Sequence, residues 1–286
     1  MSGMAPRAKL AFFDIGVTHR DYLKLPAVGD IFDSAYRAGA RVHTNSWGNL
    51  GGLYGQMSYD VDQYTYQHPE FMIVFAAGNS GDLGPKSIIS PGNAKNTLSV
   101  GAAQVSPEKK SHAPKKNQTR FFCPIRGSLT FFLSQTTFQT RTPLSDEART
   151  YAAGNTALAY FSSIGPTFDG RLKPDIVAPG DFIQSAYSGN PDVLQAALDS
   201  GPSWNGHESC GSHQMSGTSM AAPAAAGTAL LIRQFFMDKA FWASTCSRAL
   251  AKCRAGAFVP SGYLVKAVFL HSGRGIARCG RVSDAP

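Results

Sequence analysis

Phe71-Met72-Ile73-Val74-Phe75-Ala76-Ala77-Gly78-Asn79-Ser80-Gly81 is the stretch on which the fold turns. Its first seven residues are all apolar. A strand without polar alternation is one covered on both faces, and Gly78-Asn79 closes it in a turn. Strands of that kind belong to parallel sheets with helices on each side. The flanking sequence fits. Arg41 to Ser46 and Thr97 to Ala102 read as further strands, Val28 to Ala38 and Met57 to Gln67 carry helical spacing, and Lys9 to Asp14 is a short apolar run ending in Asp14-Ile15-Gly16. Helices of this length between strands imply right-handed crossovers. The expected class is therefore α/β, a mostly parallel sheet with helices on both faces and its functional edge at the C-terminal ends of the strands.

Farther along, the pattern breaks from about Gln104 to Arg149, a basic stretch followed by Phe121-Phe122-Cys123-Pro124 and Leu129-Thr130-Phe131-Phe132-Leu133. A run this long with no period does not belong in a compact domain, so 104–149 reads as an insertion loop or an artefact of the gene model within one domain spanning 1–286. Order returns at Ala157 to Phe161, Ser162-Ser163-Ile164-Gly165-Pro166-Thr167 and Lys173-Pro174-Asp175-Ile176-Val177-Ala178-Pro179-Gly180. A strand follows over Phe182 to Tyr187, then a helix over Ser219 to Met237 and a last short one over Tyr263 to His271. The small face of the long helix, Ala221, Ala222, Ala224, Ala225, Ala226 and Gly227, lets its backbone approach a sheet closely. Pro223 is tolerated in the first turn, where the backbone donor is unpaired in any case.

Bulk properties bound the function. The chain has 286 residues, 43% hydrophobic and 16% charged, with 29 Gly and 17 Pro, the composition of one loop-rich globular domain. No apolar run approaches the roughly 18 residues that cross a bilayer, and Met1 to Gly16 has too short an apolar stretch for a secretory signal. Five cysteines at irregular spacings, Cys123, Cys210, Cys246, Cys253 and Cys279, make neither a zinc site nor a disulfide framework. The net charge of +8 is largely local, in Lys109 to Arg126 and in Arg248 to Arg281. Neither cluster has the aromatic interleaving or the recognition-helix pattern of a nucleic-acid binder, so both read as solvated surface.

Three elements carry chemistry. Ser219, at the mouth of a buried helix, has an outward backbone N–H and a dipole that favours developing negative charge, which suits a nucleophile for acyl transfer. An isolated Thr218-Ser219 pair would otherwise be a simple helix cap. Asn79 sits at the functional edge of the sheet, where its amide can donate to the oxyanion of a tetrahedral intermediate beside the Ser219 N–H. Ser46-Trp47-Gly48 follows a strand and offers a glycine-bearing edge to an extended peptide. The plain alternative for this stretch is a core tryptophan beside a turn.

Taken in order, Ser46-Trp47-Gly48, Ala76-Ala77-Gly78-Asn79, Phe161-Ser162-Ser163 with Gly165-Pro166, Asp175 with Ala178-Pro179-Gly180, and Gly217-Thr218-Ser219-Met220-Ala221-Ala222-Pro223 resemble the subtilisin-like serine peptidases. The wording of Phe12 to Gly16 and of Phe161 to Arg171 is most similar to the KP-43-type branch. The resemblance covers about residues 4 to 102 and 157 to 272. It implies a subtilisin-like fold and a serine endopeptidase acting on polypeptides through Ser219, with Asn79 in the oxyanion hole and Ser46 to Gly48 and Ala77-Gly78 lining the substrate groove. It further implies a monomer, secretion of the full-length protein, and no cofactor beyond the structural calcium found in the family, for which no ligand set is legible.

The resemblance also implies an Asp and a His preceding the serine, and here the chain departs from the pattern. Its seven histidines are followed by Arg, Thr, Pro, Ala, Glu, Gln and Ser, so no His-Gly-Thr segment exists. Asp14-Ile15-Gly16 with His43 is a poor substitute, because the 31 residues between Asp14 and Ser46 are filled by one helix and one strand. His207 and His213, close before Ser219 in sequence, read as loop histidines. The expectation is a peptidase domain truncated at its N-terminus, with both partners falling upstream of Met1. A non-catalytic peptide-binding pseudoprotease is the alternative.

Overall fold

The computed structural model describes residues 3–16, 24–104, 158–186, 212–248 and 256–273. Among these, four strands form one parallel sheet in the order β1 (Val42–Asn45), β2 (Met72–Ala76), β3 (Leu98–Ala103) and β4 (Ile176–Pro179). Register runs Val42 to Met72, Val74 to Leu98 and Val100 to Ile176. Every residue of β2 and β3 is buried, as an uninterrupted apolar run requires of central strands.

The two faces of β2 divide its side chains by the period of two. Phe71, Ile73 and Phe75 meet α1 (Val28–Arg37) and α2 (Gln56–Gln67), whose Val28, Ile31, Phe32, Ala35, Val61 and Tyr64 close the first core. Positions 28, 31, 32 and 35 are one helical stripe. Met72, Val74 and Ala76, with Leu98, Val100 and Ala102 of β3, meet the opposite layer, made by α3 (Thr218–Met237) through Ala221, Ala222, Ala225, Ala226, Ala229 and Ile232. The alanines let the α3 backbone lie close on the sheet, as expected, but not with the whole small set. Ala224 is partly exposed, and Gly227 faces away from the strands, where a Cβ would come within 2.7 Å of Met4 Cβ. The N-terminal segment thus crosses the outer side of α3. By length and mean hydropathy of 1.2, α3 has the composition of a membrane-crossing helix, and here that composition serves a seam on the sheet.

α4 (Lys239–Arg248) follows, and α5 (Gly262–Ser272) docks beside β2, its entry capped by Ser261 Oγ, which accepts from Leu264 N–H at 3.1 Å. A separate antiparallel pair, β5 (Ile183–Ala186) with β6 (Ser212–Met215), lies outside the main sheet. The strand read over Phe182 to Tyr187 is thus present as Ile183–Ala186, one member of that antiparallel pair.

Two further expectations change. Among the described residues Lys9 to Asp14 pairs with no strand, and its Leu10 and Phe12 are 93% and 90% exposed. The connection from β2 to β3 contains a single 3-10 turn, Gly81–Leu83, in place of a crossover helix. It is held by side chains: Asp62 of α2 accepts from the Lys95 and Asn96 N–H groups at 2.9 and 2.7 Å and from the Tyr54 hydroxyl at 2.8 Å. The run read as an insertion, 104–149, and all five cysteine side chains lie outside the described residues apart from Gln104 itself.

Candidate active site

β1, β2 and the N-terminus of α3 converge at the C-terminal edge of the sheet. Two residues past β2 comes Gly78, whose φ of +110° is a conformation glycine adopts freely, and this turns Asn79 back toward α3. Gly180, past the end of β4, accepts from the Gly217 N–H at 2.7 Å; a Cβ there would come within 3.0 Å of the Ala102 and Ala221 Cβ atoms and of the Gly217 carbonyl. Ala178-Pro179-Gly180 therefore seats the start of α3 against the sheet.

Thr218, fully buried, joins the two segments. Its N–H and its hydroxyl both donate to Asn79 Oδ1 at 2.8 Å, and its Oγ1 accepts from the Gly78 N–H at 3.2 Å. With Oδ1 taken, the Asn79 amide can only present Nδ2 to the space beside Gly217. A Cβ built on Gly217 would stand 3.4 Å from Asn79 Nδ2 and 3.6 Å from the Ser219 backbone nitrogen. That position is thus bordered by two N–H donors and by Met220 Sδ at 3.6 Å, at the positive end of a 20-residue helix. Ser219 is partly exposed beside it.

Ser46 reaches the same place from β1, its hydroxyl donating to the Ser219 carbonyl at 3.0 Å. Among the described residues, the backbone groups of Ser46, Trp47 and Gly48 carry no backbone hydrogen bond, which leaves this edge free to pair. The Trp47 ring turns inward and meets Phe75 edge-on at 5.1 Å, so what the tryptophan offers the groove is its backbone. Across from it, Ala77 and Gly78 are buttressed from below: Ser163 donates its N–H to the Gly78 carbonyl at 2.9 Å, and its Oγ accepts from the Ser80 N–H at 3.1 Å.

The residues singled out from the sequence, Ser219, Asn79, Ser46, Trp47, Gly48, Ala77 and Gly78, are therefore brought together. Thr218 and Ser163 are what the sequence reading missed. A Thr before the serine looks like a cap, and a Ser-Ser pair looks like a turn; only their long-range bonds distinguish them.

Asp14 and His43 are not brought together. Asp14 is exposed and accepts from the Gly16 N–H at 2.8 Å in a local turn, while the His43 ring packs against Phe32 and Phe71 at 5.0 and 6.0 Å. Desolvation in that aromatic setting pulls the imidazole pKa down to about 4. Among the described residues no histidine bonds Ser219; His207 and the His213 side chain lie outside them. Asp175, at the opposite end of β4, accepts from Lys173 Nζ at 2.6 Å and from the Ser99 N–H at 2.7 Å, as a structural ion pair would. No group of three or more His, Cys, Asp and Glu gathers in metal-binding geometry among the described residues.

The subtilase family model matches residues 1–272. Over 307 residues the chain is 31% identical to the serine protease/ABC transporter B family protein tagD of Dictyostelium discoideum, covering 95% of this chain and 16% of that protein. It is 33% identical over 178 residues to pyrolysin of Pyrococcus furiosus, covering 61% of this chain and 10% of that one. The chain thus spans less than a fifth of the length of these curated relatives. Among solved structures it resembles the prenylagaramide maturation protease PagA at 16% identity and a TM-score of 0.44, over 88% of this chain and 70% of that one. By the family model across nearly its whole length, the chain belongs to the subtilase family of serine peptidases.

Proposed function

We propose that this chain carries the acylation half of an endopeptidase site. Ser219 Oγ attacks the scissile carbonyl carbon; the Oγ proton passes to a base and then to the leaving amine; the carbonyl oxygen, as its charge grows, takes hydrogen bonds from Asn79 Nδ2–H and the Ser219 N–H. An extended polypeptide lies along Ser46 to Gly48 on one side and Ala77-Gly78 on the other. The observation that carries this reading is the space at Gly217, bordered by both donors at 3.4 and 3.6 Å.

The base and its orienting carboxylate come, in this reading, from a polypeptide segment outside these residues, in a longer protein of the KP-43-type branch. What supports it is that none of the seven histidines stands in a His-Gly-Thr segment, together with the free backbone of the Ser46 to Gly48 edge. The 286-residue chain alone is expected to show negligible turnover of a denatured protein substrate and no more than slow labelling by a fluorophosphonate. Rapid labelling, abolished by Ser219→Ala, would show that a working base is present and overturn this part. An upstream in-frame sequence containing Asp-Thr-Gly and His-Gly-Thr, and activity on joining it, are the expected outcomes. An upstream sequence lacking both leaves the peptide-binding pseudoprotease as the better reading.

A further inference from the structure

α2 turns one arc of its surface to solvent, Gln56, Tyr59, Gln63, Tyr66 and Gln67, while Val61, Tyr64 and Thr65 on its other side are buried. Positions 59, 63 and 66 follow the i, i+4, i+7 spacing of a single stripe. A solvated helix face ordinarily carries charged side chains, yet α2 contains no Glu, Lys or Arg. The carboxylate nearest the arc, Asp60, is engaged by Gln56 Nε2 at 2.6 Å. The stripe itself is uncharged, in a chain whose net charge is +8. Tyr59 and Tyr66 are 51% and 79% exposed. The neighbouring tyrosines have their hydroxyls occupied: Tyr54 donates to Asp62 at 2.8 Å, Tyr64 to Asp33 at 3.0 Å and Tyr263 to the Thr65 carbonyl at 2.8 Å. Among the described residues, Tyr59 and Tyr66 have neither a hydroxyl hydrogen bond nor a stacked ring. At the helical rise they stand about 10.5 Å apart along the axis, with Gln63 between them.

An exposed tyrosine offers an apolar ring face and a polar tip. A pyranose ring has the complementary form, with C–H groups on one face that rest on an aromatic ring and hydroxyls around its rim. Glutamine amides both donate to and accept from such hydroxyls. A nucleic-acid base would stack as well, but it brings phosphates, and this stripe has no cation to meet them. In an extended β-1,4-linked glycan alternate sugars present the same face, and two units match the separation of the two rings. We propose that the exposed face of α2 is a glycan-binding site, where Tyr59 and Tyr66 stack on alternate sugars of a neutral β-1,4-linked polysaccharide and Gln63 and Gln67 bond their hydroxyls. α2 covers the opposite side of the sheet from α3, so the site is separate from the Ser219 groove and does not rest on the peptidase reading.

Calorimetric titration of the full chain tests this with cellohexaose and chitohexaose, both neutral and β-1,4-linked, beside cellobiose and a sulfated heparin hexasaccharide. Saturable binding of at least one neutral hexasaccharide is expected, and whichever binds identifies the sugar. Cellobiose, which spans one tyrosine, is expected to bind at least about tenfold more weakly, the scale of losing one stacking platform. Tyr59→Ala and Tyr66→Ala are each expected to weaken the hexasaccharide by at least about tenfold, and Tyr66→Trp to retain it. The double variant Gln63→Tyr with Tyr66→Ala sets the rings about 6 Å apart and is expected to restore nothing. Each variant is checked for cooperative melting, with Tyr→Gln at either position serving should an alanine variant fail to melt. Binding of neither hexasaccharide by a cooperatively melting wild-type chain overturns the proposal, as does unchanged affinity in folded tyrosine variants. Cellobiose binding as tightly as the hexasaccharides, or full affinity in the respaced double variant, overturns it too. Heparin binding tighter than both neutral sugars would place the interaction on the basic stretches instead.

Discussion

Thr218 makes three hydrogen bonds between the helix and the segment that follows β2, two to Asn79 Oδ1 and one from the Gly78 N–H. Its role is to position the Asn79 amide. Thr218→Val keeps the shape but leaves the Gly78 N–H without an acceptor in a buried place, so it is expected to destabilise the fold by about 1–3 kcal/mol in urea unfolding, with Thr218→Ser restoring most of that. In the assembled enzyme, Asn79→Ala is expected to lower kcat by about 10²–10³ with little change in KM, the magnitude established for loss of an oxyanion donor in subtilisin, a relative of this chain. An equal loss in KM would place Asn79 in ground-state binding.

β1 carries its own pH dependence. His43 ionises at about 4 in the folded chain against 6.5 in the open chain, so between those values the unfolded state binds more protons. Stability is then full above pH ~6.5 and falls as pH drops toward ~4, by roughly 3 kcal/mol from this group. Denaturant midpoints at pH 7 and pH 4.5 should show the fall in wild type and a smaller one in His43→Leu, which also removes a buried ring nitrogen lacking a partner. The alanine seam of α3 is the other element-scale constraint. Ala225 is 1% exposed against the sheet, and Ala225→Leu is expected to destabilise by about 1–3 kcal/mol through overpacking, measurable as a shift in Tm.

Across the whole molecule, the end of the sheet remote from the site is tied by one buried cluster. Lys173 Nζ bonds the Thr97 carbonyl and Asp175, while Lys266 of α5 reaches the same carbonyl and lies 3.5 Å from Asp175. Desolvation pulls Lys173 down to about 8, opposed by Asp175. Asp175→Asn strands two ammonium groups in a site where the Lys173 side chain is 3% exposed, and is expected to destabilise by about 3–5 kcal/mol. The exposed Arg37–Asp33 pair should be worth under about 1 kcal/mol in the same assay. The fold class was legible because an unbroken apolar run such as Phe71 to Ala77 has one stable environment, a covered parallel strand, and the site residues were legible because short motifs place them at strand ends and at a helix mouth. The departures are long-range. Lys9 to Asp14 has strand composition, but a strand needs a neighbour to pair with; the loop from β2 to β3 is ordered by Asp62, which lies more than 30 positions before the Lys95 and Asn96 N–H groups it binds. By itself, then, the sequence determined the class and the helix and strand periods, and it singled out Ser219 and Asn79 as the candidates on which the proposed site is built. Only the tertiary structure decided that Thr218 aims the Asn79 amide, because that depends on which distant backbones the folded sheet brings within bonding distance.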